Sequence, residues 1–169
     1  MRAGRAARGG DDYAANAAAK ARAVAAQTGS LAVADDSGLE VDALGGRPGP
    51  RSARYGGPDL DDAGRVARLL EEIGDRPEAE RGARFVCHAS LATPDGRVET
   101  AVGVCSGRIL AAPRGEGGFG YDPVFVPEGY ACSMAELSAD EKDRISHRGR
   151  ALERLAPAIR AALGPSGGA

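Results

Sequence analysis

A two-residue period is the pattern that most limits what this chain can fold into. Phe85, Cys87, Ala89 and Leu91 alternate with Arg84, Val86, His88 and Ser90, the run Thr93-Pro94-Asp95-Gly96 supplies a turn, and alternation resumes at Val98, Thr100, Val102 and Val104. Successive side chains of a strand point to opposite faces, so two such runs joined by a turn specify an antiparallel hairpin. His88 falls on the polar side and is expected to face solvent. Whatever covers the hairpin must be built from small aliphatic groups, because aromatics make up 4% of the 169 residues and tryptophan is absent. Each Phe or Tyr is therefore expected to occupy a particular slot.

Helical patterns flank the hairpin. From Asp12 to Gln27 good helix formers dominate, with Tyr13, Ala17, Ala21 and Val24 on one stripe and the polar pair Asn16 and Lys20 on another. Thr28, Gly29 and Ser30 end that helix, and Leu31 to Ala34 reads as a short buried strand stopping at Asp35, with Ser37 and Gly38 as breakers. Residues 45–58, rich in Gly and Pro, predict a surface loop carrying Arg47, Arg51, Arg54 and Tyr55. A second helix follows on the spacing of Leu60, Ala63, Val66, Leu70 and Ile73, with Asp59, Asp61 and Asp62 complementing its dipole. The glycines at 115, 117, 118 and 120 lead into a short strand at 123–126. Ser138 to Glu141 match a capping box for a helix bearing Lys142. Leu152, Leu155, Ala156 and Ile159 form a last apolar stripe, which Pro157 should kink or restart. Residues 1–11 read as a flexible basic arm, 12–163 as a single domain, and 164–169 as a disordered tail.

Charge and cysteine usage narrow the function classes. A formal net charge of −2 offers no global field toward nucleic acid or anionic membrane, so neither is expected as a partner. The alanine-rich run from Ala14 to Ala26 is interrupted by Asn16, Lys20 and Arg22, which excludes a spanning helix. Cys87, Cys105 and Cys132 show no CxxC spacing and read as small core or strand residues, which fits a reducing cytoplasm. Lysine stands only at positions 20 and 142, against twenty other basic residues that are Arg. In a chain that otherwise chooses Arg, a Lys marks a place for a compact ammonium.

Chemistry has few candidates. No GxxxxGK[ST] phosphate cradle is present. Asp35-Asp36-Ser37-Gly38 either forms a turn or places a carboxylate at a strand end, where it would hold Mg²⁺ or take a proton from water. Neighbouring strand residues face opposite ways, so one Asp is expected to be functional and the other structural. The segment from Gly115 to Asp122 is either a tight turn with its aromatics in the core or a loop that presents Phe119 or Tyr121 for stacking. Lys142, His147 and Arg148 are either a solvated helix face or a basic group suited to phosphate or a keto oxygen. Arg54 and Tyr55 either touch a ligand or pin their loop.

Taken in order, ADDSGLEVDALGGRPGPRSARYGG at 34–57, GGFGYDPVFVPEG at 117–129 and AELSADEKDRISHRGRAL at 135–152 resemble the Ham1-like (RdgB-type) purine nucleoside triphosphate pyrophosphatases, the inosine triphosphate pyrophosphatase family. The resemblance covers about residues 12–160. It implies an α/β fold with an elongated mixed β-sheet flanked by helices, and two lobes with a nucleotide cleft between them. It also implies a homodimer that hydrolyses ITP, dITP or XTP to the monophosphate and pyrophosphate with Mg²⁺, serving to cleanse the nucleotide pool. Carried over, Asp36 looks like the catalytic proton acceptor and metal carboxylate, and Ser37 like a substrate contact. Phe119, Gly120, Tyr121 and Asp122 look like the base-binding segment, completed by Lys142, His147 and Arg148. Lys20, in NAAAKA, is similar to the lysine of the family's ENAxxKA helix and would face the phosphates. The FGYD segment argues against the pyrimidine-directed Maf proteins of similar fold.

Two departures accompany the resemblance. Family members open with a hydrophobic strand and an (S/T)GNxxK loop, which nothing before Asp12 resembles, and Ala15 stands where ENA has Glu, with Asp11 or Asp12 as the acidic substitutes nearby. A missing strand is expected to leave an unpaired edge in the sheet. The expectation is a chain whose N-terminal part lies upstream in the gene. The alternative is an N-terminally truncated, catalytically impaired nucleotide-binding or dimer-partner protein.

Overall fold

A computed structural model describes residues 12–164. The arm expected at 1–11, and the tail expected at 164–169 apart from Gly164, lie outside the described residues. The hairpin forms as its alternation requires: β3 (Gly82–Ala92) pairs with β4 (Val98–Ile109) from Gly82↔Arg108 to Ala92↔Val98. With β1 (Ala32–Val41), β2 (Pro48–Gly49) and β5 (Phe125–Pro127) it makes a five-stranded sheet in the order β2-β1-β3-β4-β5, antiparallel at every pairing. Helices α1 (Tyr13–Thr28), α2 (Asp62–Ile73), α3 (Ala139–Ile145) and α4 (His147–Leu163) complete a mixed α/β architecture. None of them is long and apolar enough to cross a membrane.

β1 does not stop at Asp35. It pairs with β3 from Ala32↔Ala92 to Val41↔Ala83, and this long ladder carries Ser37 and Gly38 as strand residues despite their turn propensity. The 45–58 segment, read as an ordered or mobile loop, does carry a short regular strand, because Pro48 and Gly49 pair with β1, and Ser52 is buried with its hydroxyl accepting from Leu39 N at 2.8 Å. The strand expected at 123–126 begins as a single 3₁₀ turn over Asp122–Val124 before β5.

The sheet is covered on both faces. Odd-numbered residues of β1 and β3 face one way: Leu39, Val41 and Phe85 pack with Val66, Leu69 and Ile73 of α2 and with Phe125, while Cys87, Ala89 and Leu91 pack against Ala151 and Leu155 of α4. Full burial of Leu39, Leu69, Ile73 and Phe125 contributes ~1.5–3 kcal/mol per side chain. On the opposite face, Ala32 and Ala92 meet Ala21 and Ala25 of α1. This second cover corrects the expectation for His88, which lies half-buried with its ring stacked 5.4 Å from Tyr13. The stripe on α1 is also set by contact with the sheet, with Ala25 buried and Val24 48% exposed.

Helix ends follow local chemistry. Asp12 caps α1 by accepting from Ala14 N and Ala15 N, and Gly29 closes it in the left-handed region at φ 65°. Asp61 accepts from Gly64 N at α2, and Ser138 and Glu141 form the capping box of α3. Each such N-cap is worth about 1 kcal/mol. α4 runs through Pro157 without restarting. The missing N–H costs the Glu153 carbonyl its helical donor, and both residues are exposed, where solvent can satisfy it. Leu152 points outward at 39% exposure, and Ala151 takes the inner position expected of it.

Candidate active site

Strand alternation separates the two carboxylates of Asp35-Asp36 as expected. Asp36 faces α1, where its Oδ1 accepts from Lys20 Nζ at 2.7 Å and its Oδ2 accepts from Asn16 Nδ2 at 2.9 Å. Asn16 and Lys20 stand four residues apart on α1 and so reach the same carboxylate from successive turns. Asp35 faces α4. Its Oδ2 accepts from Arg148 Nε and Nη2, each at 3.1 Å, and from Ser37 Oγ at 3.0 Å, with Cys87 Sγ at 3.7 Å. Burial pushes the Cys87 thiol up to about 11, so it stays protonated there.

Both aspartates nevertheless border one cavity of about 320 Å³. Among the described residues β1 is paired on its outer side only at Leu39↔Gly49 and Glu40↔Pro48. Lys20 Nζ marks this edge by donating to the Asp35 carbonyl as well, at 3.0 Å.

The other wall comes from the FGYD segment and α3. Asp122, 4% exposed, accepts from Phe119 N at 3.0 Å and from Lys142 Nζ at 2.5 Å. This pairing draws the lysine over the Phe119 ring, 4.5 Å from its centroid. Gly118 makes the turn possible: its φ is +72°, and a Cβ there would lie 2.2 Å from Asp122 Oδ2. Phe119 is 61% exposed and is the ring available for stacking. Tyr121 is instead a core residue. Its hydroxyl donates to the Ser52 carbonyl at 2.8 Å, and burial holds its phenol well above the ordinary range. Gly120 N donates to Asp62 Oδ2 at 2.8 Å, which ties the segment to the start of α2.

His147 begins α4 with its ring stacked on Phe85, the centroids 4.8 Å apart. Burial first, and then the Arg148 charge, lower its pKa to about 4. His147 is therefore neutral at physiological pH, and of the three residues read as a basic group only Lys142 and Arg148 carry charge.

Each site residue anticipated from the sequence, Lys20, Asp36, Ser37, Phe119 through Asp122, Lys142, His147 and Arg148, lines this one cavity. Sequence reasoning noted Asn16 only as a polar partner of Lys20, and it missed Asp35 as the holder of Arg148. It read Asp62 only as a helix-dipole residue and did not single out Arg65, although both line the same space. Their signal was weak, since an Asp and an Arg at the start of a helix read as dipole and solvent-face residues.

A divalent cation suits one position here. Among the described residues no three His, Cys, Asp or Glu side chains converge as a protein cage. Asp36, however, presents a hard carboxylate whose hydrogen bonds to Lys20 and Asn16 leave lone pairs on both oxygens. That donor set fits a divalent ion that takes most of its oxygen ligands from a bound molecule, and does not fit a site made by protein alone.

Comparison with known proteins places this geometry in a family. The model of the Ham1 family matches residues 5–158. The dITP/XTP pyrophosphatase of Streptomyces avermitilis is 51% identical over 155 residues, covering 92% of this chain and 78% of that protein. The dITP/XTP pyrophosphatase of Mycobacterium bovis is 54% identical over 145 residues, covering 86% and 71%. Among solved structures, the Ham1 protein of Staphylococcus aureus superposes with a TM-score of 0.85 at 38% identity, covering 94% of this chain and 81% of that one. The HAM1 protein of Coxiella burnetii gives 0.82 at 42% identity, covering 90% and 78%. With its three motifs gathered around one cavity and this likeness across most of its length, the chain belongs to the Ham1 family.

Proposed function

We propose that this chain hydrolyses noncanonical purine nucleoside triphosphates, namely ITP, dITP and XTP, to the monophosphate and pyrophosphate, and so cleanses the nucleotide pool. The observation that carries the reading is the single cavity bordered both by the Lys20–Asp36 pair and by the Phe119–Lys142–Asp122 group. It combines a proton acceptor and a fixed cation with an aromatic face and neighbouring donors. Family membership and relatives that are dITP/XTP pyrophosphatases support the substrate class.

In this reading Asp36 takes the proton of a water that attacks phosphorus, the bond between the first and second phosphates breaks, and pyrophosphate leaves. Lys20 lies within hydrogen-bond reach of Asp36 and neutralises charge that builds on the leaving group. Asn16 holds Asp36 Oδ2, which fixes the rotamer of the proton acceptor. Asp36 would hold Mg²⁺ together with the phosphates, and the ion supplies further charge neutralisation and a more acidic water when bound. Phe119 stacks on the base, and Lys142 and His147 direct donors to its keto oxygen, while Asp122 keeps Lys142 in place. Gly120 and Tyr121 shape the turn that presents Phe119. Ser37 and Arg148, both held by Asp35, stand ready for phosphate oxygens. An amino group at the purine 6-position would leave these donors without a partner. The same reading includes a homodimer and a cytoplasmic setting, which rest on the family resemblance and the cysteine pattern.

The test is pyrophosphate release from ITP, dITP and XTP against ATP and GTP with Mg²⁺, for the chain and for Asp36→Asn. Release from the three noncanonical substrates should exceed that from ATP and GTP, and the substitution should lower it by about 10²–10⁴. Equal rates on ATP, or an unimpaired Asp36→Asn, would overturn the reading.

A further inference from the structure

Arg65 is out of keeping with the rest of the fold. It lies in the first turn of α2, where the helix dipole disfavours a cation, yet its side chain is only 15% exposed. Its Nε is buried without a hydrogen-bond partner, and Asp62 approaches Nη1 no closer than 3.9 Å. The other oxygen of Asp62 is already engaged by Gly120 N. Arg81 shows how this protein treats a buried guanidinium when the role is structural. Its Nε, Nη1 and Nη2 donate to the carbonyls of Ile109, Gly74 and Leu110 at 2.8, 3.0 and 2.8 Å. Leaving a buried charged donor unmade is costly, and the cost is tolerated where a ligand supplies the acceptor.

Arg65 lines the cavity of about 320 Å³ together with Gly120 and Tyr121 of the turn that presents Phe119, and with Asp62 of α2, which accepts from Gly120 N. A guanidinium offers donors only. It satisfies a carbonyl oxygen or ring nitrogen acceptor and opposes an exocyclic amino group.

We infer that Arg65 is a specificity-determining residue of the nucleotide cavity, donating to the oxygen-bearing edge of a keto purine and disfavouring a purine with an amino group there. The inference rests on the proposed substrate class and adds to it a residue that no motif of the sequence singled out. Binding is read separately from turnover, so the two can fail independently.

The experiment is equilibrium titration of the full chain with IMP, xanthosine 5′-monophosphate and AMP, for wild type, Arg65→Met and Arg65→Lys, with thermal melts to verify folding. Loss of one charge-assisted donor should weaken IMP and xanthosine monophosphate by about ten- to a hundredfold. AMP should change by less than about threefold, and Arg65→Lys should keep an intermediate preference. Should Arg65→Met fail to fold, the Lys variant and Arg65→Gln decide on the same ratio of IMP to AMP. Equal weakening of all three ligands would assign Arg65 to the shared phosphate and overturn the inference, as would an unchanged ratio or a wild type that does not distinguish IMP from AMP. A wild type that prefers IMP yet releases no pyrophosphate from ITP would remove the hydrolase reading and leave the role of Arg65 standing.

Discussion

Lys20 Nζ lies 2.7 Å from Asp36 Oδ1 and also donates to the Asp35 carbonyl, so one ammonium is fixed both to the carboxylate and to the strand that carries it. The pair is part-buried, with side chains 38% and 16% exposed, and its geometry does not depend on a mobile loop. A cation held in advance costs no reorganisation when charge develops on a substrate. Lys20→Met should therefore lower kcat for ITP hydrolysis by about 10²–10³ while leaving the thermal midpoint near that of wild type. Steady-state kinetics together with a melt would check this, and a large loss of stability without a kinetic defect would contradict it.

Asn16 gives a separate handle on the same carboxylate. Its Nδ2 donates to Asp36 Oδ2 at 2.9 Å from a buried position on α1. Asn16→Asp would replace that donor by a second carboxylate, and like charges at this distance favour protonation of one of them. The acid limb of the kcat/KM profile for ITP should move at least about one pH unit upward in Asn16→Asp, and Asn16→Ala should lower the rate without moving the limb. Superimposable profiles would show that this contact does not govern proton uptake at Asp36.

His147 links pH to stability. Burial, and then the Arg148 charge, lower its pKa to about 4, whereas an unfolded histidine titrates near 6.5. Between those values the unfolded chain binds a proton that the folded chain refuses, so the folded state loses stability as pH falls from about 6.5 toward 4. The full effect is ~3 kcal/mol at the acid end of that window. His147→Phe, which keeps a ring against Phe85, should show a shallower loss of unfolding free energy between pH 7 and 5 than wild type does. Parallel slopes in urea titrations at the two pH values would count against this assignment.

Gly103 sets the approach of α4 to the sheet. A Cβ there would lie 2.0 Å from the His147 carbonyl and 2.4 Å from Ala151 N, both backbone atoms that cannot rotate aside. Gly103→Ala should cost at least about 1–3 kcal/mol by overpacking. It should also weaken nucleotide binding, because the displaced turn carries His147 and Arg148. Denaturation and ITP binding measured on the same preparation would verify both effects.

Much of the scaffold was legible because its causes are local. The hairpin follows from period-two alternation on either side of a Pro-Asp-Gly turn, and the caps Asp12, Asp61 and Ser138 act on backbone N–H groups within three residues. The errors arose where a distant element intervened. Val24 looked like part of the buried stripe of α1, but the sheet meets the Ala21–Ala25 line, which leaves Val24 exposed. His88 looked solvent-facing until α1 brought Tyr13 over it. Ser37 and Gly38 looked like strand breakers, and the ladder with β3 overrode their propensity.

The motifs that resemble the family pointed to Lys20, Asp36, Phe119 and Lys142, and these side chains line one cavity. Opposite facing of Asp35 and Asp36 was expected only if the strand continued between them, and it does, because β1 pairs with β3 through Val41. Partnership and charge state were settled only by the packed molecule. Arg148 reaches Asp35 across 113 residues of chain, His147 loses its charge beneath Phe85 and beside Arg148, and Arg65 Nε is buried without an acceptor. Hydrogen bonding and protonation depend on solvent exclusion and on charges brought from remote parts of the chain, and these exist only once the helices have closed over the sheet.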